Sequence, residues 1–310
     1  MSSFAPVVVF AYARKEHLEK ALNSLNKSAL AKKTELFIFC DNFKSEKDKQ
    51  QVEETRKFVD SFSGYSNFSK TTIVKADANR GLKDSVVAGV TSIINEYGRV
   101  IVVEDDLEVS PFFLEFMNNS LDFYESNNQI WAISGYTLQM KSLKKYEHDV
   151  YFAGRGCSWG WATWKDRWST IDWSVLSYKS FKHNWKKRKG FSKWGADLPP
   201  MLDYQMASNI NSWAIIWCYE AFKQNKITVY PKESYVKNLG NDGSGSHGSQ
   251  SSQFDSSLNT QKSFSCVFQE PFFEKNIKKE FHKIYSGNFV FRLKDQVKSF
   301  LIRNNIWKKK

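Results

Sequence analysis

The stretch Val100-Ile101-Val102-Val103-Glu104-Asp105-Asp106 decides the fold. Four consecutive β-branched apolar residues suit a strand buried on both faces, the usual state in a parallel sheet. The run stops in three adjacent carboxylates. Close like charges raise one another's pKa by about a unit or more unless a cation or donor groups compensate. The triplet is therefore either an acidic turn in solvent or a site. Its place directly after a buried run favours a site, and hard carboxylate oxygens suit Mg²⁺ or Mn²⁺ carrying substrate phosphates.

The flanking sequence repeats the strand-then-helix pattern. Pro6 to Tyr12 (PVVVFAY) is a β-branched and aromatic run, after which Leu18, Ala21, Leu22 and Leu25 recur at helical spacing. Glu35 to Cys40 (ELFIFC) is a second run, ending at Asp41-Asn42 and followed by a polar helix-like stretch to about Phe58. Thr71 to Val74 is a third, followed by Asn79-Arg80-Gly81-Leu82 and a helix through Val86, Val90 and Ile94. Strands alternating with helices predict an α/β fold, a mostly parallel sheet flanked by helices with ligands at the carboxyl ends of its strands. Beyond the triplet, Pro111 to Phe123 and Met201 to Gln224 read as helices, and Ile130 to Gly135 and Ile227 to Tyr230 as strands. Gly154 to Trp168 leads into a helix, with Trp161, Trp164 and Trp168 at helical spacing and so expected in the core. Lys179 to Trp194 is a basic, aromatic excursion, and Leu239 to Ser257 is a Gly, Ser and Asn-rich stretch that reads by composition as a mobile loop.

Composition narrows the class. At 41% hydrophobic and 25% charged, the 310 residues are not those of a disordered chain. The net charge is +12, but residues 275–310 alone hold eleven Lys or Arg against Glu280 and Asp295, a net of +9. The body is thus nearly neutral, and a nucleic-acid partner is not expected. Cys40, Cys157, Cys218 and Cys266 lie far apart with no Cys-x-x-Cys pair, which fits a reducing cytoplasm better than a zinc or disulfide framework. No stretch approaches the roughly 18 to 20 apolar residues of a spanning helix. A soluble or peripherally bound cytoplasmic protein is expected.

The segment Val102 to Phe113 (VVEDDLEVSPFF) resembles the metal-binding segment of the inverting GT-A glycosyltransferases, most closely N-acetylglucosaminyltransferase I and its bacterial relatives. Other blocks agree in order. Pro6 to Arg14 resembles that family's first strand, Phe39 to Asp41 its uracil-contacting segment, Gly154 to Trp168 its acceptor-side segment, and Gly240 to Gly248 its Ser-His-Gly loop. The resemblance implies a GT-A domain over 1–257, with a nucleotide-sugar half to about 110 and an acceptor half over 111–257. Residues 258–310 form a C-terminal extension.

The implied activity is metal-dependent, inverting transfer of a sugar from a UDP-sugar to a glycan hydroxyl in surface polysaccharide synthesis. Ala11, Tyr12, Ala13 and Arg14 would border the nucleotide, with Arg14 on a phosphate and Asp41 accepting from the uracil N–H. Asn79, Arg80 and Gly81 would lie close to the donor, and Glu104 and Asp105 would face the ribose or donor sugar. Asp106 would ligate Mn²⁺ or Mg²⁺, and Ser246 and His247 would close over the pyrophosphate. Trp159 and Trp213 would stand on the acceptor side. An inverting displacement needs a carboxylate base. The family's Asp beside a Trp is matched here by Asn211-Ser212-Trp213, and an amide cannot take a proton. Either Asp203 or, after it, Asp197 does this work, or the enzyme uses another group or is weakened.

The tail supplies one more expectation. Asn288 to Trp307 places Phe289, Val290, Leu293, Val297, Phe300, Leu301 and Ile306 near one helical face, with Arg292, Lys294, Lys298 and Arg303 around it. Such a helix either packs on the body or a partner, or lies on an anionic membrane. The second reading puts the protein on the inner face of the plasma membrane with a lipid-linked glycan acceptor. Two other classes compete. A sugar-nucleotide pyrophosphorylase wants a Gly-rich loop after the first strand, and AYARKEHLEK has no glycine. A non-catalytic basic adaptor leaves the acidic triplet without a purpose.

Overall fold

The computed structural model describes residues 4–240, 252–304 and 306. Its main sheet has eight strands: β1 (Val7–Ala11), β2 (Glu35–Cys40), β3 (Lys70–Lys75), β4 (Arg99–Glu104), β6 (Ile130–Ser134), β7 (Val150–Ala153), β8 (Trp161–Trp164) and β9 (Ile227–Pro231). The spatial order is β3-β2-β1-β4-β8-β6-β9-β7. From β3 to β4 the strands run parallel; β8 enters antiparallel between β4 and β6. A two-stranded ribbon pairs β5 (Leu107–Val109) with β10 (Val236–Asn238).

The apolar runs are continuous because both faces of the sheet are covered. Period-two alternation sends Val7 and Val9 into one layer with Leu18, Leu22 and Leu25 of helix Lys15–Asn26. Val8 and Phe10 enter the other, against Val86, Val90, Ile93 and Ile94 of helix Leu82–Tyr97. The chain moves outward from β1 to β2 and β3, then crosses back to β4 on the other side of β1. That reversal is a topological switch point, the place where open α/β sheets take their ligands.

Two expectations of local structure are corrected. Trp161–Trp164 is a strand, with Val102 opposite Trp161 and Arg99 opposite Trp164. In a strand a separation of three puts the two rings on opposite faces, so Trp161 and Trp164 enter different core layers. The long helix expected over Met201 to Gln224 is two, Leu198–Met206 and Trp213–Lys223, broken where Ser208 takes φ 57°. After residue 257 the chain returns to the body: helix Lys275–Ser286 buries Ile277 and Phe281 in the same core as β1 and β9.

Candidate active site

At the switch point, Ala11 ends β1 and Glu104 ends β4, with Phe10 and Glu104 in register. Arg14, three residues past β1, reaches across to the triplet. It donates to Asp105, and its Nη1 lies 2.9 Å from Asp106 Oδ2. Burial disfavours the guanidinium charge, but Asp105 and Asp106 outweigh it and raise the Arg14 pKa. Burial pushes the Asp105 carboxyl up to about 6, against the pull of Arg14. Burial, then Asp106 and Asp105, hold Glu104 well above the ordinary carboxylate range. One guanidinium therefore faces three carboxylates and does not satisfy them all.

Asp106 Oδ1 is the unmet group: it is buried and has no hydrogen-bond partner among the described residues. Among the described residues no three His, Cys, Asp or Glu side chains form a ready-made metal cage. A divalent cation of the Mg²⁺ or Mn²⁺ type needs none, since it is commonly held by one or two carboxylates plus substrate phosphates. An orphaned carboxylate oxygen at the ligand edge of the sheet fits that demand.

Asp41 follows β2 and organises the neighbouring loop. Its carboxylate accepts from the backbone N–H of Arg80 and of Gly81, each at 2.9 Å, and from Asn79 Nδ2 and Ser85 Oγ at 3.2 Å. Gly81 stands at the head of helix Leu82–Tyr97 with φ 75°, a conformation glycine takes without strain. Asn79 to Gly81 are thus assembled around Asp41, whose oxygens are already engaged by the chain's own donors. Tyr12 is fastened in turn, donating to Asp48 and accepting from Lys44 N at 3.1 Å. Ala13 is half-buried between Tyr12 and Arg14.

The ribbon brings a second segment to the triplet. Asn238 pairs with Leu107, Leu239 N donates to the Asp106 carbonyl at 2.8 Å, and Gly240 N donates to Asn238 Oδ1 at 2.7 Å. A β-carbon at Gly240 would overlap the Asp106 carboxylate, so any other residue there must displace it. Ser246 and His247 lie outside the described residues.

The remaining assignments divide. Asn211 Nδ2 lies 3.4 Å from where a β-carbon on Gly81 would sit, so the Asn211 amide borders the loop of Asn79 to Gly81. Trp159 is half-buried, edge-on to Tyr136 at 4.7 Å and to Phe254 at 6.1 Å. Trp213 is not an acceptor contact: it is 2% exposed and packs against Trp161 at 5.0 Å. Asp203 does not fit a base, having no exposed surface; its oxygens accept from Arg188 at 2.9 and 2.7 Å, from Tyr178 and from Ser299. Asp197 is held bidentately by Arg155 at 2.9 Å on both oxygens, and Arg155 lies over the Tyr285 ring. Both were substitutes for Asn211; Asp203 is fully buried and Asp197 partly so, and both are engaged in ion pairs. A cavity of about 540 Å³ lined by Gly98, Trp164 and Lys165 lies at the amino end of β4, opposite the ligand edge.

Sequence reasoning missed Ser85, Asn238 and the close fit of Gly240. The glycine at 240 was the one signal available.

No protein family and no curated protein sequence matches the chain. Solved structures similar to it are glycosyltransferases at low identity. The galactosyltransferase LgtC, in complex with donor and acceptor sugar analogues, is 12% identical, covers 73% of this chain and 72% of its own, and has a TM-score of 0.39. The mannosyltransferase PcManGT from Pyrobaculum calidifontis, in complex with GDP-Man and Mn²⁺, is 13% identical over 53% of this chain and 45% of its own, TM-score 0.34. TarS of S. aureus is 18% identical over 42% of this chain, with a TM-score of 0.28, and the matched part spans only 20% of TarS. None of these three is an N-acetylglucosaminyltransferase I. Likenesses this distant do not by themselves assign an activity.

Proposed function

We propose that the chain is a glycosyltransferase that binds a UDP-sugar at the β1/β4 switch point and transfers the sugar, with inversion, to a hydroxyl of a glycan. The observation that carries this reading is Asp106 Oδ1, a buried carboxylate oxygen without a partner among the described residues, set beside Arg14 where the strands β1 and β4 end. A diphosphate leaving group requires positive charge where its negative charge develops. Arg14 supplies a fixed guanidinium at that edge, and Asp106 would hold a Mn²⁺ or Mg²⁺ ion. When bound, such an ion screens the departing diphosphate. The loop of Asn79, Arg80 and Gly81, held by Asp41, would border the donor, with Asn211 beside it. Trp159 would offer a half-buried ring to the acceptor sugar. The acceptor would be a lipid-linked glycan of a surface polysaccharide, met at the cytoplasmic face of an anionic membrane.

Asp106→Asn tests this. Calorimetry should show Mn²⁺-dependent UDP binding in the parent and none in the variant, with an unchanged or higher melting temperature because one of three clustered charges is gone. Loss of a direct ligand should exceed the roughly 10–100-fold in metal affinity that outer partners cost. Equal Mn²⁺-dependent UDP affinity in the two proteins would overturn the assignment.

A further inference from the structure

Helix Phe289–Arg303 meets the body through its polar side. Asp295 accepts from the Tyr204 hydroxyl, Ser299 donates to buried Asp203, and Arg188 bridges Asp203 and Ser299 Oγ, the latter at 3.2 Å. Arg303 Nη1 donates to the Lys182 carbonyl at 3.0 Å, and among the described side chains of the helix Ile302 is the one apolar group that is buried. The opposite stripe faces outward: Phe289 is 67% exposed, Val290 60%, Leu293 51%, Val297 51% and Phe300 52%. An amphipathic helix left to itself turns its apolar face inward. Here a buried ion-pair cluster holds the apolar face outward.

The fastening residues Lys182 and Arg188 belong to the excursion, whose residues 179–193 carry seven Lys or Arg and no acid. Helix Trp185–Phe191 in that excursion exposes Trp185 at 66%. The helix that bears the apolar stripe is therefore fastened beside one basic segment. A second copy would bring the same positive charge against itself, which argues against self-association. An anionic bilayer supplies both things the surface lacks, acyl chains for the stripe and negative headgroups for the cations.

We propose that helix Phe289–Arg303, fastened by the Asp203 cluster and flanked by residues 179–193, is a preassembled docking face for an anionic lipid bilayer. It extends the membrane-side acceptor of the proposed function, and lipid binding is read without turnover, so each reading can fail while the other stands.

The full chain should co-float with phosphatidylcholine vesicles containing phosphatidylglycerol and not with phosphatidylcholine alone, and added salt should weaken the binding. Leu293→Ser, Val297→Ser and Phe300→Ser together should cost more than about tenfold in vesicle affinity, since each buried CH₂ contributes. Melting should be unchanged, because all three side chains are exposed. On the other element, Lys186→Gln, Lys187→Gln and Lys189→Gln should lose about fivefold per cation. Equal binding to neutral vesicles would overturn the proposal. So would a Ser variant that binds like the parent, or a Gln loss without a Ser loss, which would mark a polyanion site. A dimer in sedimentation that the Ser variant dissolves, with no vesicle binding, would make the face a self-interface and overturn it too.

Discussion

Asp41 and Asp106 both follow strands at the same edge of the sheet, yet the fold treats them in opposite ways. Asp41 is saturated by the chain's own donors, whereas Asp106 keeps an unmet buried oxygen. Asp41→Ala should therefore act first on the loop. Removing the acceptor of two backbone amides should cost about 1 kcal/mol, the low end for lost partners because Arg80 is exposed. The urea midpoint reads that loss, and UDP and GDP affinities should fall together. A fall confined to UDP would return Asp41 to the uracil. Gly240→Ala tests the other carboxylate. The added β-carbon must displace the Asp106 carboxylate, and a shift of about 1 Å at a reacting site can cost about a hundredfold. Mn²⁺-dependent UDP affinity should drop accordingly with melting little changed; an unaltered affinity would show that the Asp106 position is not critical.

Among the elements, strands with long apolar runs were legible because burial on both faces leaves no polar residue to confuse the period. β8 was not. Its two Trp residues three apart mimic a helix, and only its place between β4 and β6 makes it a strand. The interruption at Ser208 was equally hidden. Helix Leu198–Met206 also carries the residue whose role changed most, since Asp203 proves to anchor the terminal helix. Asp203→Ala should leave Arg188 without its buried partner and destabilise the protein by about 3–5 kcal/mol in denaturant titration. UDP-sugar hydrolysis per folded molecule should stay near the parent value. A collapse of turnover with stability intact would restore Asp203 as the base.

Across the whole molecule, one core runs from Ala5 to Phe281, while helix Phe289–Arg303 lies on its surface. Ending the chain after Ser286 should therefore leave a folded protein that still binds UDP with Mn²⁺ but no longer co-floats with phosphatidylglycerol vesicles. Unfolding of that protein would mean that the helix is part of the core. The α/β alternation, the strand edge with its acidic triplet and an amphipathic basic tail are legible along the chain, because each is written in local period and spacing. Folding adds that Arg14 meets Asp106 across 92 residues, that Asp203 meets Ser299 across 96, and which face of the tail points outward. Those choices depend on which charges are buried together. Partner selection between distant residues follows from desolvation in the packed interior, and no spacing along the chain encodes it.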